Sequence, residues 1–304
     1  MMKRIFMAAM VLALSIALLS GCGLYVRSGD EEGSDWVGTD FDVMDFDFDY
    51  GKPAFEQAKQ QSFDGGKVSK VDIESDNAII NVEAYTGNEI QIEYRKQIYG
   101  KNVSQQKADE LMGEISVSIE QIGDSIVIKA ETGDKMAFGI NIPDKVIRLD
   151  IKMPADKALV LKNGSGMIDI NGLAEDIDII NGSAMIDLMD ITGNIEIETG
   201  NGMVTLDTAS IKDLSLKSGN GMIDASINEL AGDSYDINTG NGMVILKLGQ
   251  NASADFTITT TNGAVNADIP LTKNGRTYRG SLNGGGPNMN ISTGNGMVSV
   301  SYKE

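Results

Sequence analysis

The sequence predicts an all-β fold, a β-solenoid or β-helix built from short repeats, with one short helix in the N-terminal half. The first observation is a motif, Thr-Gly-Asn-Gly-Met-Val at 199–204, which recurs in variant form at six other places. Steps of 18–21 residues, and a last step of 33, are typical of a stacked array in which no repeat buries its apolar face alone. The residue before methionine, or before its counterpart Ala264, lies at 166, 184, 202, 221, 242, 263 and 296.

The second observation is the alternation of residues inside one repeat. Ile195 and Ile197 lie on one side of the chain before the Gly-Asn-Gly corner, and Val204 and Leu206 resume that side after it. Asn and Gly supply the backbone angles of a tight corner, and equivalent Asn side chains in stacked layers can form a hydrogen-bonded ladder. The predicted corner residues are Asn163, Asn181, Asn201, Asn220, Asn241, Asn262 and Asn295.

We expect successive repeats to stack in chain order as one column. The widened last step then has to accommodate additional chain between the sixth and seventh repeats. The segment 273–288, which contains the run Gly284-Gly285-Gly286-Pro287, is predicted to form a projecting hairpin or loop there.

The chain begins with a secretory signal. Lys3 and Arg4 precede an apolar stretch of 15 residues, 5–19, which is shorter than the ~20 residues of a membrane span. The residues Leu-Ser-Gly-Cys at 19–22 resemble the lipobox of bacterial lipoproteins. This resemblance implies removal of residues 1–21 and diacylglyceryl modification of Cys22, which anchors the protein on the extracytoplasmic face of a cell membrane.

Residues 22–66 are interpreted as an acidic stalk or linker. Nine acids and no base lie between Ser28 and Tyr50, and like charges at this density oppose compaction. The spacing of Asp45, Asp47 and Asp49 is similar to the start of an EF-hand loop, but Tyr50 stands where that loop needs glycine. These acids are therefore only candidates for weak calcium binding, and no other metal or cofactor site is predicted.

The folded domain is predicted to cover residues 67–304. Runs that alternate apolar and polar residues, at 81–85, 89–94, 115–119 and 125–128, indicate half-buried strands. A helix is expected over 105–112, with Ser104 as N-cap.

The whole of this region resembles a known family. The stretch 70–84, the strand 146–154 and the corners ending in 291–300 resemble the bacterial beta-strand-repeat putative adhesin domain, a domain of unknown function. The resemblance implies a β-solenoid on cell-surface or membrane-associated proteins, some of them encoded with envelope-stress systems. It implies no catalytic residues.

Six methionines occupy one repeat position, and their placement has two alternatives. If strand alternation holds, they lie outside and form a stripe for partner docking, soft-metal binding or oxidation. A bulge at the glycine corner would instead move them into the core, and the sequence favours this second arrangement. The six are Met167, Met185, Met203, Met222, Met243 and Met297.

Composition restricts the function. A net charge of −19 argues against binding nucleic acid or lying flat on anionic lipid, and the absence of histidine removes Ser/His and Cys/His catalysis. We therefore expect a non-enzymatic surface protein, an adhesin, an envelope scaffold or a partner in envelope stress, that binds an envelope or surface ligand of unknown identity. Pairing of exposed strand edges also allows a homo-oligomer. The alternative function is a polysaccharide-cleaving β-solenoid enzyme that uses carboxylates.

Overall fold

The computed structural model describes residues 52–133 and 144–303, and the compact unit begins at Ala54. This part of the chain is predominantly β, with one α-helix, α1, at Gln105–Glu114 and a 3-10 turn at Gly65–Lys67. One large mixed sheet contains the strands. They are β1 Phe55–Asp64, β2 Lys70–Ala84, β3 Glu89–Tyr99, β4 Ser116–Ile122, β5 Ser125–Glu131, β6 Asp144–Met153, β7 Ala158–Asn171, β8 Ile177–Met189, β9 Ile195–Ile211, β10 Leu214–Leu230, β11 Ser234–Thr239, β12 Val244–Leu248, β13 Ala254–Thr260, β14 Ala264–Ala267, β15 Thr272–Asn274, β16 Thr277–Leu282, β17 Asn288–Thr293 and β18 Met297–Tyr302.

The repeats lie side by side as parallel strands in register. In the row after the corner, Ile168 pairs with Ile186, Ile186 with Val204, and Val204 with Ile223. Strands β7 to β10 each continue through the corner, so one strand contributes one segment before it and one after it. In the fifth and seventh repeats these segments are separate strands, β11 with β12 and β17 with β18.

Aliphatic rows fill the space behind these strands. The inward residues are odd-numbered before the corner of β7 and even-numbered after it, because the corner resets the alternation once. Burying one such side chain contributes about 1.5–3 kcal/mol. The rows include Leu161, Ile179, Ile197, Leu216 and Ile237 before the corner and Ile170, Leu188, Leu206, Ala225 and Leu246 after it, each 0% exposed.

The corners stack with almost no space between their backbones. A Cβ atom added to Gly221 would lie 1.9 Å from the carbonyl oxygen of Gly202, and one added to Gly242 would lie 1.8 Å from that of Gly221. Real Cβ atoms essentially never come closer than 3.0 Å to another heavy atom. Alanine does occupy this row at Ala184, and there its two neighbours are Gly166 and Gly202, with φ angles of 134° and 149°.

The N-terminal end of the stack is completed by non-repeated strands and the helix. Strands β5 and β6 lie parallel to the two halves of β2, and β4, β3 and β1 add antiparallel strands outside them. The predicted helix is confirmed as α1, and the Ser104 hydroxyl accepts a hydrogen bond from the Lys107 amide at 3.3 Å. Its buried face, with Leu111 and Met112, packs against the core, as expected of a capping element.

At the C-terminal end, the repeats do not stack in the predicted chain order. The seventh repeat, β17 and β18, lies between the fifth, β11 and β12, and the sixth, β13 and β14. The predicted hairpin forms as β15 and β16, yet β16 does not project, since it pairs antiparallel with β13. The shortest repeat strand, β14, therefore occupies the outermost place, where an atypical repeat is tolerated.

The predicted boundary at residue 66 also needs correction. Strand β1 lies inside the segment interpreted as stalk, and it pairs with β3 over ten residues, from Phe55 opposite Ile98 to Asp64 opposite Glu89. The predicted signal segment and most of the predicted stalk lie outside the described residues. Within the residues that are described, no helix has both the length and the apolar character to cross a membrane.

The corner geometry predicts that Gly202→Ala destabilises the protein by about 1–3 kcal/mol, because the new methyl group meets the Ala184 carbonyl at 1.9 Å and φ is positive. Urea unfolding followed by circular dichroism measures the change. Gly113→Ala is the matched control, since nothing lies within 4 Å of its Cβ position in α1 and helix propensity favours alanine by up to about 1 kcal/mol. A Gly202→Ala protein as stable as the unmodified chain would contradict the close-stacked corner.

Candidate binding surface

The six repeat methionines form one row on the outer face of the sheet, which we call the methionine stripe. Met167, Met185, Met203 and Met222 are direct register neighbours, and the pairing of Ile223 with Val244 and Val244 with Val298 continues the row. All six side chains are half-buried, whereas the next residue along each strand is buried in the core. The core placement favoured by the sequence is therefore not the one that the structure shows. The two further members of the row are Met243 and Met297.

The stripe is long and narrow. Adjacent strands lie about 4.8 Å apart, so six rungs extend over ~24 Å. Thioether side chains are flexible and polarisable, and they adapt to partners of different shape. The row is thus an apolar contact line on a chain whose surface is otherwise rich in acids.

A polar network terminates the stripe at its N-terminal end. The row continues from Met167 to Ile79, then to Arg148 and Arg95. Both guanidinium groups contact the carboxylate of Asp150, at 2.9 Å from Arg95 and 3.3 Å from Arg148. The charges at this end are consequently paired with each other.

An acidic row runs beside the stripe, two residues further along the strands. It contains Asp150, Asp169, Asp187 and Asp224, which fall in one register row with Asn81 and Thr205 between them. Burial raises the pKa of Asp169 above its ordinary value. Burial also raises the pKa of Asp224, an effect that Lys247 opposes and Asp207 reinforces. A cationic group placed beside these carboxylates would favour their ionised forms.

An asparagine ladder borders the other side of the stripe. Asn220 donates to Asn201 at 3.1 Å, Asn241 to Asn220 at 2.8 Å, and Asn295 to Asn241 at 2.6 Å. Asn262 then donates to Asn295 at 2.9 Å. The ladder follows the spatial order of the repeats, because Asn295 bridges the fifth repeat and the sixth.

Two of the seven predicted corner residues occupy a different place. Asn163 and Asn181 are buried and share a register row with Thr199, while Ser165 and Ser183 take the outward place of Asn201. The side-chain amide of Asn181 donates a hydrogen bond to the backbone carbonyl oxygen of Asn163 at 3.1 Å. The difference was visible in the sequence: ladder residues such as Asn201 lie two positions before the repeat methionine, whereas Asn163 lies four positions before Met167.

A second surface feature is an acidic groove of about 390 Å³ across the strands before the corner. Two of its carboxylates hold the turns together: Asp213 Oδ1 accepts from the amides of Asp233 and Ser234 at 2.9 Å each, and Asp176 accepts from Asn194 at 2.9 Å. These hydrogen bonds give both carboxylates a structural role in the turns. The residues lining the groove include no aromatic side chain that would stack on a sugar ring: Ala158, Leu159, Val160, Asp176, Ile177, Asp178, Asn194, Ile195, Glu196, Asp213, Leu214, Ser215, Ser234 and Asp236.

The remaining predicted site residues fall outside the described part of the chain. They are the lipidation candidate Cys22 and the calcium candidates Asp45, Asp47 and Asp49. Over residues 52–133 and 144–303, no cluster of three or more His, Cys, Asp or Glu side chains has the arrangement of a metal site.

Comparison with known proteins gives structural similarity alone. No protein-family model and no curated protein matches the sequence. Among solved structures, the chain is similar to a putative cell adhesion protein of Clostridium sporogenes, at 14% identity and a TM-score of 0.40 over 82% of this chain and 100% of that one. A putative adhesin of Bacteroides fragilis matches at 14% identity and a TM-score of 0.40, over 81% and 97% of the two chains. A putative lipid binding protein of Parabacteroides distasonis matches at 14% identity and a TM-score of 0.26, over 81% and 97%. Similarity at this level carries no argument about ligand or activity.

Proposed function

We propose that this chain is a lipid-anchored, extracytoplasmic β-solenoid that acts by binding a partner through the methionine stripe, without catalysis. The observation that carries the proposal is the single outward row of six half-buried methionines. The in-register parallel pairing of the repeats, with two strand segments and one corner in each, supports the solenoid.

The anchor is proposed from the sequence around Cys22. Acylation there would hold the folded part at the membrane surface, with the residues before β1 as spacer. From that position the stripe can serve in adhesion, in scaffolding of the envelope or in contact with an envelope-stress component.

The anchor predicts that the mature protein begins at a diacylglyceryl-modified Cys22, which mass spectrometry of the N-terminal peptide detects. Cys22→Ala should abolish the modification and cleavage after Gly21. A variant that is still cleaved after Gly21 and stays on the membrane would contradict it.

The chemistry of the stripe defines the kind of partner. Its methionines offer apolar, adaptable contact, the acidic row beside them attracts cations, and the asparagine ladder on the other side presents a polar rim. A partner surface that combines apolar side chains with Lys or Arg fits these three rows. The net charge of −19 disfavours an acidic partner.

This function predicts a discrete cross-link at the stripe. A photo-reactive benzophenone amino acid is placed at Met203 of the full chain in intact cells, and we expect one adduct with a partner. Met185→Ser together with Met222→Ser should reduce this adduct roughly fivefold or more, which corresponds to a loss of about 1 kcal/mol or more of binding free energy. The matched control is Ile180, an exposed aliphatic residue of β8 before the corner, tested both as a cross-linking position and as Ile180→Ser.

Equal adducts at Ile180 and Met203, or none at Met203, would exclude the stripe as the binding surface. Adducts that Ile180→Ser reduces as strongly as the methionine substitutions would exclude it as well.

A further inference from the structure

The N-terminal end of the stack contains a pocket of about 370 Å³, which we call the N-terminal pocket. It lies between the edge strands β1 and β4, each of which pairs on one side only among the described strands. Its volume falls in the range of small-molecule sites, about 300–1,000 Å³. The lining consists of Lys59, Gln60, Gln61, Tyr94, Val117 and Ile119.

One wall of the pocket is apolar. Tyr94 is 7% exposed and belongs to the core, and Val117 and Ile119 are partly buried against that core. The two β4 residues pair with Ala130 and Ile128 of β5, which places them on the inward face of their strand. An aliphatic chain placed against this wall would therefore extend the core, while Gln60 and Gln61 form a polar part of the lining.

Positive charge lies beside this apolar wall, because Lys59 lines the pocket and Lys96 lies just outside its lining. Lys59 pairs with Tyr94 across β1 and β3, and Lys96 follows two residues later on the same face of β3. The Lys96 ammonium donates to the Ile115 carbonyl at 2.5 Å, and its pKa is lowered by burial and by the charge of Lys59. Within the described ranges neither ammonium lies within 4.0 Å of a carboxylate.

Acids outnumber bases in this chain, with 44 Asp and Glu against 25 Lys and Arg. Lys59 and Lys96 are nevertheless neighbours that no ion pair joins to an acid within the described ranges. Like charges held together destabilise the fold unless an anion offsets them. The apolar wall next to them favours an occupant that combines an anionic group with an aliphatic part.

We propose that the N-terminal pocket binds a single-chain anionic amphiphile, with its aliphatic tail against Tyr94, Val117 and Ile119 and its carboxylate at Lys59 and Lys96. The site is separate from the methionine stripe, so it stands or falls independently of the partner proposed above.

The test is calorimetric titration of the full chain with three probes: decanoate, 1-decanol as the same tail without charge, and acetate as the same charge without tail. We expect decanoate to bind at least about tenfold more tightly than either of the others, because only decanoate contacts both the lysines and the apolar wall. Equal affinity for decanol would remove the role of the lysines. Equal affinity for acetate would remove the role of the apolar wall.

Variants locate the binding. Lys59→Gln, at an exposed side chain that leaves the core intact, should weaken decanoate binding about fivefold or more. Ile119→Asn, in the apolar wall, should weaken it by a similar factor. Lys162→Gln, an exposed lysine on the outer face of β7, is the matched control and should leave the affinity unchanged. Circular dichroism establishes that each variant is folded.

If Lys59→Gln binds decanoate as the unmodified chain does, the proposal is wrong. If the same variant also self-associates, the charge of Lys59 instead serves to keep the exposed edge of β1 from pairing with the strands of other molecules.

Discussion

The close approach of one corner backbone to the next is the constraint on which the rest of the structure depends. Along the row from Gly202 to Gly296, a single methyl group would come within 1.7–1.9 Å of a carbonyl oxygen of the neighbouring repeat. Glycine is consequently required along this row by contact between repeats, and at Gly202 also by a positive φ. Where alanine replaces it, at Ala184, glycines with positive φ lie on both sides.

This constraint holds neighbouring repeats in register and gives the outer face its order. Once equivalent residues are neighbours, any residue type that recurs in the repeat becomes a continuous row. Asparagines then form a hydrogen-bonded ladder, methionines form the stripe, and aspartates form the acidic row. Within the acidic row, Asp224 is buried and Asp169 is exposed, and desolvation raises the pKa of both carboxyl groups.

Much of this architecture could be predicted from local pattern. Alternation on each side of the corner identified the core rows, and the N-cap of α1 was readable from Ser104. The predicted domain start was too late because β1 reads as polar: its ten residues are mostly exposed, and it is held by pairing with β3 instead of by burial. No periodicity in 55–64 signals such a strand.

The order of the last repeats depends on contacts between distant residues, which a repeat period does not specify. Strand β17 pairs with β11 and β13, and the 33-residue step only indicates that additional chain intervenes. One signal was present: the sixth repeat has Ala264 in place of methionine and ends in a strand of four residues. A weak repeat suits the end of a stack better than its interior.

Disulfide formation between paired cysteines tests the central claim most directly, because neighbouring strands place Cα atoms about 4.8 Å apart and a disulfide tolerates ~4.4–6.8 Å. In a Cys22→Ala background, Ile245→Cys with Ser299→Cys should cross-link readily, since these residues are register partners. Ile245→Cys with Asn266→Cys should not, because Ser299 lies between them. Cross-linking of the second pair and not of the first would show that the repeats stack in chain order and would contradict the register described above.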